Sequence, residues 1–152
     1  MADTVTPEVR SRMMRAIQGC NTQPEMRVRR YLHAAGMRFR LHDRSLPGRP
    51  DLVLPGRKVV IFVHGCFWHQ HPGCPYATTP ATRPDFWQAK FAVNKARDAS
   101  VVDRLTVLGW QVFTIWECQT KEEMELDALA RSVLAVQPVG PHNDHIKPHS
   151  NR

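Results

Sequence analysis

"PGRPDLVLPGRKVVIFVHG", residues 47–65, is the stretch of sequence that most restricts the fold. The run from Val59 to Val63 is continuously apolar, which is typical of a strand buried on both faces of a sheet. A Pro-Gly turn at Pro55 connects this run to a shorter apolar stretch that follows Asp51. We therefore predict two neighbouring strands, the second of them at the centre of a sheet.

Further strand and helix patterns lie on both sides of this stretch. Residues 37–42 alternate like a half-buried strand, and residues 110–118 read as a second buried strand. Helical spacing of apolar residues is found in residues 21–36, 84–108 and 121–136. Because the long middle helix links the two buried strands, we expect them to be parallel and joined by a right-handed crossover.

The order of these elements is helix, three strands, helix, strand and helix, which predicts an α/β sandwich with a mixed central sheet. The length of 152 residues suits a single domain, which we assign to residues 1–137. Within it, residues 1–20 are expected to form a basic helical arm. Residues 138–152 are rich in Pro, His and Asn and are expected to be a disordered tail.

The charge is unevenly distributed along the chain. Of the net charge of +7, the first 50 residues supply ten Arg and Lys against four Asp and Glu. Such a surface suits a polyanion, although a solvated basic face is an equally common explanation. The sequence has no run of about 18 apolar residues and no apolar signal segment. We therefore expect a monomeric cytoplasmic protein with no membrane partner.

Three cysteines and one histidine have spacing that suits a metal site. Cys66, His71 and Cys74 follow a C-x4-H-x2-C pattern, and Cys118 follows the second buried strand, where a loop could bring it beside the first. Three thiolates and one imidazole form a closed tetrahedral site, so we predict one structural Zn²⁺. Cys20 lies far upstream and is expected to be a free thiol.

A filled zinc site leaves the two other histidines of this loop, His64 and His69, available for acid-base chemistry. Asp51 begins a strand beside the buried run, where its carboxylate suits a hard divalent cation. An apolar stripe on the long helix is interrupted by two polar residues, and the predicted inward-facing set is Trp87, Phe91, Asn94, Asp98, Val102 and Leu105. Since a buried carboxylate needs a partner, Asp98 is expected to serve a site.

Three features of the sequence are considered together: "SLPGRPDLVLPGRKVVIFVHGCFWHQHPGC", the "N-x3-D" at Asn94 and Asp98, and the "WEC" ending at Cys118. They resemble the corresponding motifs of the very short patch repair (Vsr) mismatch endonucleases. The resemblance extends from about Met14 to Cys118. It implies a restriction-endonuclease-like three-layer fold. It also implies hydrolytic nicking of double-stranded DNA on the 5′ side of the thymine in a T:G mismatch, which arises by deamination of 5-methylcytosine.

For the catalytic residues, the resemblance implies that Asp51 bridges two Mg²⁺ ions and that the main-chain carbonyl of Val63 supplies another ligand. It implies that His69 activates the attacking water, while His64 and Asp98 support the phosphate and the metal-bound waters. Such residues suit hydrolysis, because two cations neutralise developing charge and an imidazole accepts a proton near neutral pH. The residues alone leave open which histidine is the base.

Glu25 also matches a catalytic position of the family, although its capping-box spacing from Thr22 gives it a structural explanation. DNA contacts are implied for six residues: Phe67, Trp68, Trp87, Met14, Arg15 and Asn94. Stacking of an aromatic ring on a base contributes about 1–3 kcal/mol, which helps to open a duplex step at a mismatch more readily than at a sound pair. The alternative for the Phe-Trp pair is ordinary packing in the core.

Three other functions remain compatible with the residues. They are a DNA-binding module that uses zinc without cleavage, a restriction-type enzyme that cuts both strands at another motif, and a zinc hydrolase with a catalytic Cys/His site. The family further implies a functional link to a cytosine-5 DNA methyltransferase, to mismatch-repair proteins and to a repair polymerase, all at the bacterial nucleoid.

Overall fold

Four strands form one mixed sheet in the computed structural model, which describes residues 21–139. They are β1 (Arg40–Leu41), β2 (Leu52–Leu54), β3 (Val59–His64) and β4 (Gln111–Trp116), in the spatial order β1-β2-β3-β4. The first two pairings are antiparallel, and β3 and β4 are parallel. The predicted parallel arrangement of β3 and β4 is therefore confirmed. The prediction that β4 is a buried strand was wrong, because β4 lies at the edge of the described sheet and only its Ile115 is buried.

In the described part of the chain, three α-helices accompany the sheet: α1 (Gln23–Ala34), α2 (Pro84–Val107) and α3 (Glu123–Ala135). At the start of α1, the Thr22 hydroxyl accepts the N–H of Glu25 at 3.4 Å, as N-cap residues do. Pro84 begins α2 with its fixed φ, and Gly109 follows the helix end at φ 87°. Short 3-10 turns connect β2 to β3 and β4 to α3.

The sheet lies between two helical layers because alternate strand residues point to opposite faces. One apolar cluster joins the sheet to α1 and α3, and it includes Val28, Leu32, Leu52, Val59, Ile61, Ile115, Leu129 and Val133. The other joins the sheet to α2 through Val53, Val60, Phe62, Val101 and Leu105. Within residues 21–139, no helix is long and apolar enough to cross a membrane.

The inward face of α2 differs from the prediction at one position. Val102 is 36% exposed, whereas Val101 is 8% exposed and packs in the core. The inward-facing stripe therefore continues from the half-buried Asp98 to the buried Val101 and Leu105, because a step of three residues after Asp98 keeps the stripe on the sheet side of this long helix.

The segment before β2 packs tightly against α2. Gly48 has φ 72°, and a Cβ at this position would collide with the side chain of Val101. Glycine therefore allows the chain to pass close to α2 before Asp51. Asp51 is in turn attached to the central strand, because its Oδ2 accepts the backbone N–H of Val63 at 2.8 Å.

Candidate active site and metal centre

A pair of carboxylates lies where α1 meets the edge of the sheet. The Glu25 side chain is 2% exposed and belongs to the same cluster as Asp51 and His42, in which one potential ligand atom per residue lies within 4.8 Å of the others. Glu25 Oε2 lies 2.6 Å from Arg29 Nη2, and Oε1 lies 2.6 Å from His42 Nε2. Glu25 thus takes part in a side-chain network with residues of α1 and the loop after β1.

The two carboxylates have different protonation behaviour. Burial, together with the neighbouring Glu25, raises the pKa of Asp51 to about 7. Burial opposes ionisation of Glu25 as well, but its hydrogen bonds with Asp51 and His42 and the charge of Arg29 lower its pKa. Full ionisation of both groups is therefore unfavourable without added positive charge, so the pair is suited to a divalent cation.

Two histidines stand beside these carboxylates. The rings of His64 and His69 stack with centroids 3.9 Å apart and an interplanar angle of 3°. His69 Nδ1 lies 2.6 Å from Asp98 Oδ2. When Nδ1 donates to Asp98, Nε2 of His69 is left as the acceptor. Burial and the adjacent His69 lower the pKa of His64 to about 4, so His64 is neutral at neutral pH.

Asp51 and the two histidines line a cavity of about 380 Å³, to which Glu25 does not contribute a wall. Its walls include Asp51, His64, His69 and Asp98, so the structure brings these predicted catalytic residues together. Val63 and Asn94 also line the cavity, as do the basic residues Arg49 and Arg97. A phosphate group entering it would meet acid-base groups and positive charge in the same space.

The four predicted metal ligands form a second cluster. One ligand atom from each of Cys66, His71, Cys74 and Cys118 lies within 4.8 Å of the others. His71 Nδ1 is 3.4 Å from the Cys118 sulfur and 3.8 Å from the Cys66 sulfur. Burial raises the pKa of the Cys66 thiol to about 12, a shift that a bound cation would reverse by stabilising the thiolate. The cluster is therefore a candidate metal centre.

The aromatic residues of the loop form a partly exposed group. Phe67 and Trp68 are both half-buried and meet edge to face at 5.1 Å. Phe67 also contacts the buried ring of Phe91 at 5.3 Å, and Trp68 lies 6.1 Å from the half-buried Trp87. These rings are thus supported from beneath by α2 while part of their surface remains accessible.

Asn94 has a defined contact within the protein. Its Nδ2 donates to the main-chain carbonyl of Trp68 at 3.2 Å, which ties the aromatic loop to α2. Met14, Arg15 and Cys20 lie outside the described residues, as does the predicted arm 1–20.

Three residues of this region were not identified from the sequence. Trp116 stacks on His71 at 4.3 Å and meets the ring of His64 edge-on at 5.3 Å, so it connects the metal centre to the histidines. Arg29 and His42 are the basic partners of Glu25. The i, i+4 spacing of Glu25 and Arg29 on a predicted helix was a usable signal, whereas nothing in the local pattern pointed to His42.

Comparisons with known proteins give a consistent result. Residues 2–74 match the family model described as DNA mismatch endonuclease Vsr. The chain is 44% identical over 134 residues to the type II nicking enzyme V.XorIIP of Xanthomonas oryzae pv. oryzae, covering 88% of this chain and 98% of that protein. It is 44% identical over 126 residues to the DNA mismatch endonuclease Vsr of Escherichia coli, covering 83% and 80%. It is also 38% identical over 123 residues to the type II nicking enzyme V.NmeAIP of Neisseria meningitidis, covering 81% and 87%.

Proposed function

Because the chain belongs to the Vsr family of DNA mismatch endonucleases, we propose that it nicks one strand of duplex DNA on the 5′ side of the thymine in a T:G mismatch. Such mismatches arise from deamination of 5-methylcytosine, so the nick would begin very short patch repair beside a cytosine-5 methyltransferase. The observation that carries the proposal is the cavity in which Asp51, His69 and Asp98 meet next to the aromatic loop. We also propose that residues 1–137 form one restriction-endonuclease-like domain.

Mg²⁺ is the cofactor that we propose for this cavity. The donor set fits a hard cation, because the carboxylates of Glu25 and Asp51 crowd together and burial raises the pKa of Asp51 to about 7. Asp51 and the main-chain carbonyl of Val63 would hold the metal, and we propose two ions. When bound, Mg²⁺ would stabilise the negative charge that develops on the phosphate oxygens during hydrolysis.

His69 is the residue that we propose as the general base. When Nδ1–H of His69 donates a hydrogen bond to Asp98, the ring orientation is fixed and Nε2 is left free to take a proton from the attacking water. His64 is a weaker candidate because burial lowers its pKa to about 4. It stacks on His69 and, as a neutral ring, would support the orientation of the base and of the phosphate.

Zn²⁺ is the ion that we propose for the Cys66, His71, Cys74 and Cys118 cluster. Three sulfurs and one imidazole suit a tetrahedral borderline-soft ion, and all four positions are then occupied by the protein. The site would be structural, since it would attach the loop that carries Phe67 and Trp68 to the end of β4.

Mismatch recognition would use the aromatic loop. Insertion of Phe67, Trp68 and Trp87 between base pairs unstacks a duplex step at a cost of a few kcal/mol, which is least where the pair is already mismatched. The half-buried position of these rings supports this proposal, since part of each ring is accessible. Met14, Arg15 and Asn94 would add contacts to the DNA.

A nicking assay tests the proposed function. Duplexes carrying T:G or T:A in several flanking sequences are labelled on both strands and incubated with the zinc-loaded protein and Mg²⁺. We expect one cut, 5′ to the mismatched thymine, and none in T:A duplexes. Cleavage of both strands would instead indicate a restriction-type enzyme, and binding without any cut a DNA-binding module. Activity that follows zinc content without Mg²⁺ would indicate a zinc hydrolase.

A further inference from the structure

The Glu25 carboxylate is held from two sides by basic side chains that have not been assigned a role. Arg29 Nη2 lies 2.6 Å from Oε2, and His42 Nε2 lies 2.6 Å from Oε1. The backbone N–H of Asn21 donates to Oε2 at 2.6 Å as well. Glu25 is 2% exposed, while Arg29 and His42 are 13% and 14% exposed, so the contacts are shielded from solvent.

Arg29 uses its two terminal nitrogens for hydrogen bonds and, among the described residues, leaves its third donor unpaired. Its Nε is buried and has no hydrogen-bond partner within residues 21–139. A buried donor left without a partner is unfavourable, so the arrangement is not the one that would satisfy Arg29 best. The guanidinium is instead directed at Glu25 and at the side-chain oxygen of Asn21, 2.8 Å away.

His42 is held in an unusual backbone conformation. Its φ of 48° lies in the left-handed region, which a residue other than glycine adopts rarely and at some cost. Its backbone N–H donates to the carbonyl of Asp51 at 3.2 Å, while its ring reaches Glu25. His42 therefore connects the two carboxylate residues, one through its main chain and the other through its side chain.

We propose that Arg29 and His42 are positioning residues that hold the Glu25 carboxylate against Asp51. When both are ionised, the two carboxylates repel each other, and without opposing contacts the Glu25 side chain would rotate away from Asp51. The two basic residues keep the carboxylates together before a cation or DNA arrives, so that the site needs no rearrangement. This proposal rests on the proposed metal-dependent hydrolysis, and it concerns how the site is prepared for it.

Matched substitutions test the role of each side chain. His42→Gln keeps an N–H donor near the position of Nε2, whereas His42→Leu removes it, and both residues would have to adopt the same left-handed backbone. Arg29→Lys keeps the charge, and Arg29→Met removes it. Arg30→Gln is the control, because Arg30 is exposed on the same helix and makes no hydrogen bond or ion pair in the described chain.

We expect His42→Leu and Arg29→Met to lower kcat on a saturating T:G duplex by about 10-fold, with little change in KM for DNA. We also expect them to weaken Mn²⁺ binding to the DNA-free, zinc-loaded protein about 10-fold, measured by electron paramagnetic resonance. His42→Gln and Arg29→Lys should recover most of both losses, and Arg30→Gln should match the wild type. Wild-type values in the Leu and Met variants, or equal losses in the conservative variants, would overturn the proposal.

If a variant does not fold, the hydrogen bond of His42 can still be tested in the wild-type protein by nuclear magnetic resonance. In nitrogen-proton correlation spectra, the His42 Nε2 signal should be that of a hydrogen-bonded N–H and should shift when Mg²⁺ is added. A signal unaffected by Mg²⁺ would contradict the proposal. If the wild type does not nick T:G duplexes, the proposed function fails, whereas the Mn²⁺ comparison still decides the role of these two residues.

Discussion

Asp51, which we propose as a metal ligand, lowers the stability of the metal-free protein. Its pKa rises from 3.8 to about 7 on folding, so the folded state disfavours its ionised form. Without metal, this destabilisation grows as the pH rises from about 4 to 7 and is constant above 7. A buried carboxylate that lowers stability in this way is common at functional sites.

Asp51→Asn should therefore stabilise the protein in Mg²⁺-free buffer while abolishing nicking. We expect a gain of about 1–3 kcal/mol in the free energy of unfolding at pH 8, since the amide keeps an acceptor for the N–H of Val63 and carries no charge. The gain should be smaller at pH 5.5. Denaturant unfolding of both proteins at the two pH values measures it, and a gain independent of pH would contradict this explanation.

The His69 and Asp98 pair gives a second prediction for a single residue. Asp98→Asn replaces an acceptor by a group that can donate to Nδ1, which leaves Nε2 protonated and unable to accept a proton. We expect single-turnover nicking to slow by about 100-fold with unchanged DNA binding. Asp103→Asn, on the exposed side of the same helix, is the control. An equal rate in both variants would show that Asp98 does not orient the base.

Sequence reasoning located most of these residues but missed contacts that depend on distant segments. The spacing of Thr22 and Glu25 predicted a capping box, and the Thr22 half of it is present. The Glu25 carboxylate instead reaches His42, which lies 17 residues further along the chain. This contact depends on the left-handed backbone of His42, which no local pattern in residues 37–42 indicated.

Among the elements, α2 links the fold to the site. Its buried residues Phe91, Val101 and Leu105 fix it to the sheet, and between them Asn94 and Asp98 point to the aromatic loop and to His69. The helix bounds and the polar interruptions were predicted from the sequence. The prediction that Val102 faces the sheet was wrong. Apolar residues at both 101 and 102 fit a helical stripe, and only packing against β3 distinguishes them.

The loop between β3 and α2 gives a prediction about selectivity. Replacing Phe67 and Trp68 together by alanine should reduce the preference for T:G over T:A more than it reduces turnover on a saturating T:G duplex. The physical reason is that the rings recover their insertion cost more readily at a mismatch. Tyr76→Ala is the control, since Tyr76 is 60% exposed and lies near Lys121, away from this group.

The selectivity is measured as the ratio of single-turnover efficiencies on the T:G and T:A duplexes. This ratio is determined for the wild type, for the Phe67 and Trp68 double variant and for Tyr76→Ala. Zinc content and melting temperature are checked in each protein. Because Phe67 also contacts Phe91, some loss of stability is expected. An unchanged T:G to T:A ratio in the double variant would mean that the two rings only pack against α2.

For the molecule as a whole, the sandwich and the parallel pairing of β3 and β4 were predictable, because two apolar strand patterns joined by a long helix leave few arrangements. Parallel pairing places His64 beside Trp116, and so it also explains why Cys118 meets Cys66 and His71. The approach of α1 to the edge of the sheet was not predictable from local patterns, and neither was the Glu25 network that it creates.

The metal centre should be necessary for the stability of the whole fold. Cys118→Ser should lower the zinc content from about one ion per chain towards zero and reduce the melting temperature, because the end of β4 would lose its attachment to the loop. Cys20→Ser should change neither quantity. Metal analysis and thermal unfolding of the two variants measure this, and equal zinc retention would remove Cys118 from the ligand set.

The parallel pairing of β3 and β4 also determines when the metal ligands can meet during folding. Cys66 and Cys118 are 52 residues apart, so a long loop containing α2 has to close first, and such non-local closure is slow. If the thiolates converge only after the rate-limiting barrier, zinc should slow unfolding and leave the refolding rate nearly unchanged. Stopped-flow refolding and unfolding with zinc or a chelator would separate the two rates, and faster refolding with zinc would place the ligands together before the barrier.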